Sequence, residues 1–250
     1  KKMNNNKLIV ALDVDTFEEA RILVDNLGDM VSTYKVGSQL FTAFGPMVLR
    51  HLEALGKKVF LDLKWYDIPN TVANAVTAAV GVSEKLHDVL DENENKVEVD
   101  RGLFMCTVHT QGGEEMLKRA VGAATEKAEA IGVKRPMIVG ITVLTSAPKE
   151  DNISAIVLQR AQLAKQAGLD GVVASSQEAA MLRTEFGKDF IIVTPGIRPT
   201  GADVGDQKRV TTPKDAIDNG SSYLVVGRPI VKAADPARAA ENILKEINNA

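Results

Sequence analysis

Eight short apolar runs rich in β-branched residues alternate along the chain with segments of helical periodicity, and this alternation restricts the possible folds most. Segments such as Thr16–Leu27 and Gly113–Ala130 place apolar residues at i, i+3 and i+4. Strands separated by helices pair in parallel, because each connection must return across a face of the sheet. The predicted strands are Lys7–Asp13, Thr33–Gly37, Lys57–Leu63, Leu103–His109, Pro136–Ile141, Gly171–Ala174, Phe190–Thr194 and Ser222–Gly227. Eight βα units favour a closed (β/α)8 TIM barrel over an open, doubly wound sheet.

The domain organisation follows from the absence of a break in composition. No linker interrupts residues 1–250, which predicts a single barrel domain. The first predicted strand is not followed by G-x-G-x-x-G, which argues against a dinucleotide-binding sheet. A charged stretch near 81–101 lacks a core pattern, and we expect it to be a surface insertion.

Composition excludes several classes of function. A formal net charge of -3 offers no electrostatic footprint for nucleic acid. No apolar run is long enough to span a bilayer, and the N-terminal KKMNNNK lacks the apolar region of a secretory signal. The single cysteine, Cys106, has no partner for an internal disulfide and is expected to be buried. These features predict a cytoplasmic protein that does not bind membranes or nucleic acid.

Charged residues cluster where the predicted strands end. The carboxyl ends of barrel strands converge on the face that carries active sites. The polar residues at or just beyond these ends are Asp13, Lys35, Asp62, Lys64, His109, Thr145, Ser146, Arg198 and Arg228. Lysines and carboxylates in one poorly solvated space can neutralise one another, whereas either charge alone would be costly.

The segment Phe60–Thr71, FLDLKWYDIPNT, carries the densest group of charges. Along a regular strand, side chains at i and i+2 share a face, so Asp62 and Lys64 are predicted to lie side by side. Asp67 falls in the following loop. A lysine held between carboxylates stays protonated and is suited to proton donation. A structural ion-pair network inside the barrel is the alternative interpretation.

Two further segments indicate a phosphate site. Val193–Pro199 and Val225–Ile230 each place glycine and arginine just beyond a strand. Loops after the last two strands of barrels often bind phosphate through backbone N–H groups, with arginine adding charge. This pair of segments predicts a phosphorylated substrate.

The chain resembles orotidine 5'-phosphate decarboxylases of the bacterial type. The motifs that carry the resemblance occur in the family's order and cover nearly the whole chain outside the insertion. They are ALDVDT, YKVGSQLF, FLDLKWYDIPNTV, TVHTQGG, TVLTS, TPGIRP, GDQKRVTTP and VVGRPI.

The resemblance implies metal-free decarboxylation of orotidine 5'-phosphate to uridine 5'-phosphate, without a cofactor. It implies that Lys64 is the proton donor, flanked by Lys35 and Asp62. Asp67 is implied to reach the neighbouring site of a homodimer. The implied substrate-binding residues are Asp13, Lys35, Asp62, Thr71, Thr145, Arg198, Gln207, Gly227 and Arg228, with Thr71 acting across the dimer and the last four of these residues holding the phosphate. The segment 199–209, with two glycines, is the expected lid.

Two departures from the family pattern stand out. Trp65-Tyr66 replaces the Phe-His pair expected after the lysine, which should alter packing only. The charged insertion is longer than usual.

Two rival functions stay open at this stage. 3-Keto-L-gulonate 6-phosphate decarboxylase and hexulose 6-phosphate synthase share Asp-x-Lys-x-x-Asp, and by resemblance they use magnesium. Lys35 stands where a metal-binding glutamate is expected in those relatives, which favours the metal-free reaction. The second rival is a non-catalytic barrel that binds a nucleotide, but a simple binder gains little from burying four charges.

Overall fold

A computed structural model of the chain describes residues 6–84, 102–144, 152–199 and 211–250. Its eight strands pair in parallel in sequence order, and β8 closes the barrel on β1. The strands are β1 (Leu8–Ala11), β2 (Thr33–Gly37), β3 (Lys58–Trp65), β4 (Gly102–His109), β5 (Met137–Ile141), β6 (Gly171–Val173), β7 (Ile191–Thr194) and β8 (Tyr223–Val226). The predicted (β/α)8 barrel is confirmed, and all eight predicted strands are present.

Helices connect successive strands around the outside of the barrel. The described helices are α1 (Phe17–Leu27), α2 (Ser38–Phe44), α3 (Pro46–Ala54), α4 (Pro69–Gly81), α5 (Gly113–Ile131), α6 (Ile153–Gln166), α7 (Ser176–Phe186), α8 (Pro213–Asp218), α9 (Arg228–Val231) and α10 (Pro236–Asn248). Most of the charged insertion near 81–101 lies outside the described residues. None of the helices in the described ranges is both long and apolar enough to cross a membrane.

Local sequence signals explain where several helices begin. Thr16 caps α1 in a capping box with Glu19, so that two backbone N–H groups of the first turn are satisfied. Proline stands at the first turn of α4, where its missing N–H costs nothing. These two helices therefore start shortly after β1 and β3, the strands that precede them.

The core has two layers. The larger layer fills the space between strands and helices, and it contains Cys106, which is fully buried as predicted. The smaller layer fills the barrel itself with side chains of seven buried residues. These are Ile9, Ala11, Phe60, Met105, Val139, Val193 and Val225. This inner layer forms a solid apolar floor beneath the carboxyl ends of the strands.

The backbones of β6 and β7 lie so close together at Gly171 that a substitution there tests whether the barrel is closed. A β-carbon at Gly171 would overlap the carbonyl oxygen of Ile191 on the paired strand β7. We expect Gly171→Ala to lower the free energy of unfolding by about 3 kcal/mol, because backbone would have to move. Urea denaturation measures this loss.

Gly122→Ala is the matched control. Gly122 lies in α5, and a β-carbon there would meet no atom within 4 Å. This change should raise the free energy of unfolding by about 0.5–1 kcal/mol, since alanine favours a helix interior. Equal effects of the two substitutions would contradict the β6–β7 pairing.

Candidate active site

A chain of alternating charges lies across the carboxyl ends of the first three strands. The Lys35 Nζ lies 3.1 Å from Asp13 Oδ1 and 3.5 Å from Asp62 Oδ2. The Lys64 Nζ donates a hydrogen bond of 2.8 Å to the same Asp62 Oδ2. The structure thus brings together the four charged residues that the sequence placed at the ends of β1, β2 and β3.

Strand β3 is irregular where it carries the charges. Leu61 pairs with Cys106 and Trp65 with Val108, so three residues of β3 stand opposite one residue of β4. Within this bulge Lys64 has φ of 53°, and it is the one non-glycine residue of the described ranges in the left-handed region. Bulges of this kind often redirect side chains next to active sites.

The bulge corrects one prediction. Asp62 and Lys64 do lie side by side, but regular strand alternation is the wrong reason for it. Asp62 is buried, whereas the Lys64 side chain is 40% exposed. The left-handed backbone at Lys64 redirects its side chain, and the ammonium contacts the Asp62 carboxylate.

Asp62 is an ionised carboxylate in a buried position. Burial by itself raises the pKa of Asp62. The neighbouring Lys35 and Lys64 ammonium groups, and the hydrogen bonds from Lys64 and Thr107, lower it by more than burial raises it. The net pKa of Asp62 therefore lies below its ordinary value. A buried anion with this many donors is held in one position.

Gly37 leaves room for the lysine of β2. A β-carbon at Gly37 would lie 3.0 Å from Lys35 Nζ and 3.4 Å from Asp13 Oδ1. Because the φ of Gly37 is an ordinary -93°, space and not backbone conformation calls for glycine here.

Two arginines, at the ends of β7 and β8, line the same opening. Arg198 is buried after β7 and donates from Nη1 to the carbonyl oxygen of Ile197 at 2.8 Å. Arg228 begins α9 directly after Gly227. Gly196 has φ of 77°, which allows the tight turn that precedes Arg198. Both predicted Gly-Arg segments therefore border one opening.

A cavity of about 230 Å³ joins the two groups of charges. Its floor is apolar, with Phe60, Val193 and Val225 from the barrel interior. Among the described residues its charged lining consists of Asp13, Lys35, Asp62, Lys64, Arg198 and Arg228, with Gly227 beside them. Four cationic and two anionic side chains leave a surplus of positive charge, which attracts an anionic ligand.

Two predicted site residues of the described ranges do not line this cavity. Asp67 and Thr71 are exposed, and Asp67 Oδ1 accepts the backbone N–H of Ile68 at 2.7 Å. Thr145 and Gln207 lie outside the described residues, as does nearly all of the expected lid 199–209.

One residue was missed in the sequence. The Thr107 hydroxyl contacts both Asp62 and the backbone of Lys64. A polar residue within the apolar run Leu103–His109 was the available signal.

The described residues contain no group of three or more His, Cys, Asp or Glu side chains that could hold a metal ion. Both carboxylates of the cavity instead face lysine ammonium groups. The fold and the site together define a (β/α)8-barrel protein with a lysine–carboxylate cluster and two arginines at the carboxyl ends of its strands.

Comparison with known proteins gives the family. Residues 6–243 match the model of the orotidine 5'-phosphate decarboxylase / HUMPS family. The chain is 45% identical to orotidine 5'-phosphate decarboxylase of Vibrio atlanticus and 44% identical to that of Aliivibrio fischeri. These matches cover 98% of this chain and 98% and 97% of the two relatives.

A solved structure agrees with the sequence comparisons. The crystal structure of orotidine 5'-phosphate decarboxylase from Lactobacillus acidophilus superimposes with a TM-score of 0.77 at 37% identity, and covers 96% of this chain and 98% of that chain. The chain therefore belongs to the orotidine 5'-phosphate decarboxylase / HUMPS family, and the resemblance found in its motifs is confirmed.

The lowered pKa of Asp62 can be tested by measuring how the free energy of unfolding depends on pH. A carboxyl group whose pKa is lower in the folded chain adds stability above its unfolded pKa, near 3.8, and loses this contribution as the pH falls through the folded pKa. We expect Asp62→Asn to cost about 3 kcal/mol at pH 7, because two ammonium groups lose a buried partner. The difference from the wild type should shrink below about pH 4.

Urea denaturation between pH 3 and pH 7 measures this difference. Asp218→Asn is the control, because Asp218 forms a half-exposed pair with Lys214 on α8. It should cost less than about 1 kcal/mol throughout. A cost of Asp62→Asn that does not change with pH would show that Asp62 is not ionised in the folded chain.

Proposed function

We propose that this chain decarboxylates orotidine 5'-phosphate to uridine 5'-phosphate and CO2 in pyrimidine biosynthesis. The observation that carries the proposal is that the Asp13–Lys35–Asp62–Lys64 cluster and two arginines line one cavity. The relatives that share up to 45% identity over the full chain carry this activity in their names.

The charge pattern of the cavity matches this substrate. Orotidine 5'-phosphate carries a phosphate at one end and a ring carboxylate at the other, and the described lining of the cavity includes two lysines and two arginines. Arg198, Gly227 and Arg228 hold the phosphate through guanidinium and backbone N–H groups. Asp13 and Lys35 contact the ribose. Phosphate binding, remote from the reacting carbon, positions the ring above the lysine cluster.

The chemistry requires a fixed cation and a proton donor. Loss of CO2 breaks the bond between C6 and the carboxylate, and the electron pair stays on C6 in the plane of the ring. The Lys64 ammonium, fixed by Asp62, stabilises this charge by preorganised electrostatics and then transfers a proton to C6. The neutral amine regains its proton from solvent. Atoms and charge balance without an electron acceptor.

Two residues outside the described ranges complete the proposed substrate site. By family resemblance, Thr145 faces the pyrimidine and Gln207 joins the phosphate group. The segment 199–209 that contains Gln207 is the proposed lid, which would cover the phosphate once it is bound.

A metal-free reaction is the form of the proposal that the residues favour. A magnesium site needs carboxylates that are not already neutralised, but Lys35 lies within 3.5 Å of both Asp13 and Asp62. The magnesium-dependent reaction of the related sugar-phosphate enzymes is therefore only the second candidate function. A non-catalytic nucleotide binder explains neither the strained Lys64 nor the buried Asp62.

Removal of Lys64 tests the reaction directly. Near-ultraviolet absorbance of orotidine 5'-phosphate is followed with excess chelator for the wild type and for Lys64→Ala. We expect chelator-resistant turnover in the wild type and a loss of at least about 10³-fold in the variant, since both charge stabilisation and proton donation disappear. Lys118→Ala, which removes an exposed pair on α5, should retain full activity.

Two results would contradict the proposal. Wild-type turnover that stops with chelator would favour the magnesium-dependent relatives. Turnover of Lys64→Ala equal to that of the wild type would show that Lys64 takes no part in the reaction.

We further propose that two copies of the chain form a homodimer in which Asp67 and Thr71 of one chain complete the site of the other. Both residues are exposed, and neither lines the cavity of its own chain. Tyr66 and Ile68, which flank Asp67, are 61% and 66% exposed, which is unusual for such apolar side chains. A second copy that covers them would place Asp67 beside the partner's lysine cluster. A cytoplasmic location stays a prediction from composition.

Mixing of inactive variants distinguishes action across the dimer from action within one chain. Lys64→Ala and Asp67→Asn are each expected to be nearly inactive. In a mixed dimer, the chain with Asp67→Asn keeps Lys64 and receives an intact Asp67 from its partner. Activity should therefore reappear on mixing after subunit exchange, with one native site per mixed dimer.

The absence of regained activity would contradict the proposed contact across the dimer, provided that exchange is shown by differently tagged chains. Two samples of Lys64→Ala mixed with each other serve as the control and should stay inactive.

A further inference from the structure

We propose that Thr107 is a positioning residue whose hydroxyl fixes Lys64 and Asp62 to each other, and this inference rests on the proposed decarboxylation. Thr107 lies on β4 and is fully buried. Its Oγ1 accepts the backbone N–H of Lys64 at 2.8 Å and donates to Asp62 Oδ1 at 3.0 Å. One hydroxyl thus connects the backbone of the proposed proton donor with the carboxylate that holds its ammonium.

The direction of these hydrogen bonds follows from the donors present. A backbone N–H can only donate, so the Thr107 oxygen accepts from Lys64. The hydroxyl proton then points to Asp62 Oδ1, which as part of a carboxylate can only accept. This leaves Asp62 Oδ2 for the two ammonium groups, Lys64 at 2.8 Å and Lys35 at 3.5 Å. Each carboxylate oxygen has its own partners, and the carboxylate cannot rotate without the loss of a charge-assisted bond.

Thr107 also accounts for the bulge. It is the single β4 residue between Cys106 and Val108, opposite the three bulge residues of β3. Lys64 has no paired residue on β4 at this point, and a partly buried N–H without an acceptor is costly. The threonine oxygen supplies this acceptor and so supports the left-handed backbone of Lys64.

Thr107 acts through its neighbours and does not line the cavity. The charged groups that face Asp62 are Lys35 from β2 and Lys64 from β3, with Asp13 of β1 beyond Lys35. From β4, His109 lies at the strand end, and its pKa is lowered by burial and by the Arg160 and Lys64 charges. Loss of the Thr107 proton donor should therefore raise the pKa of Asp62 and loosen Lys64, while phosphate binding is unaffected.

The test compares Thr107→Val, which removes the hydroxyl at constant shape, with Thr107→Ser, which keeps it. With orotidine 5'-phosphate as substrate and full-length chain, we expect Thr107→Val to lower kcat about 10- to 100-fold, which corresponds to the loss of hydrogen bonds to charged groups. KM and uridine 5'-phosphate affinity should change less than about threefold. The acidic limb of kcat against pH should move to higher pH, and Thr107→Ser should keep kcat within about threefold.

Thr110→Val is the matched control. Thr110 is also buried near the end of β4, and its hydroxyl donates to the carbonyl oxygen of Ile141 at 2.7 Å, while Thr110 itself does not line the cavity. This variant loses a comparable hydrogen bond and should keep its kcat and pH profile. A kcat of Thr107→Val equal to the wild type, or equal losses in Thr107→Val and Thr107→Ser, would overturn the proposal.

A measurement that needs no activity separates this inference from the proposed function. Carbon-13 NMR titration of aspartate carboxyl groups, with Asp62→Asn for assignment, gives the pKa of Asp62 directly. If the wild type has no decarboxylase activity, the proposed function fails, but a raised Asp62 pKa in Thr107→Val alone still supports the role of Thr107. An unchanged Asp62 pKa would overturn it.

Discussion

The site depends on one buried carboxylate. Asp62 is an anion at the mouth of an apolar barrel, and such a charge is stable there only if it is fully paired. Lys35, Lys64 and Thr107 supply its partners from three adjacent strands. Two features of the backbone support this arrangement. The bulge in β3 brings the Lys64 side chain to Asp62, and Gly37 leaves space for the Lys35 ammonium.

The apolar packing of the barrel offsets the free-energy cost of holding these charges close together. Beneath the cluster lie Phe60, Val193 and Val225, and around it packs the large layer between strands and helices. This packing holds a left-handed Lys64 that would be unfavourable in an isolated strand. A rigid scaffold also fixes the positions of the lysine cluster and the arginines, which the proposed substrate would contact together.

Much of this molecule was accessible from its pattern of residues. Alternating apolar strands and amphipathic helices predicted the barrel, since eight parallel strands with outer helices have few other closed arrangements. The charges at the ends of β1, β2 and β3 were predicted to meet, and they do. Asp67 and Thr71 do not line the cavity of their own chain, and their part in the site of a second copy stays a prediction.

By itself, the sequence determined the fold, the family and the set of charges that share the cavity, because periodicity and strand order do not depend on fine geometry. Only the tertiary structure decided how Asp62 and Lys64 meet. Regular strand alternation correctly predicted that the two residues are neighbours, but it predicted a regular backbone where the structure has a bulge. A bulge depends on the register between two strands that are far apart in the chain. The role of Thr107 became visible for the same reason: its partners lie 43 and 45 residues away and are joined to it only by the pairing of β3 with β4.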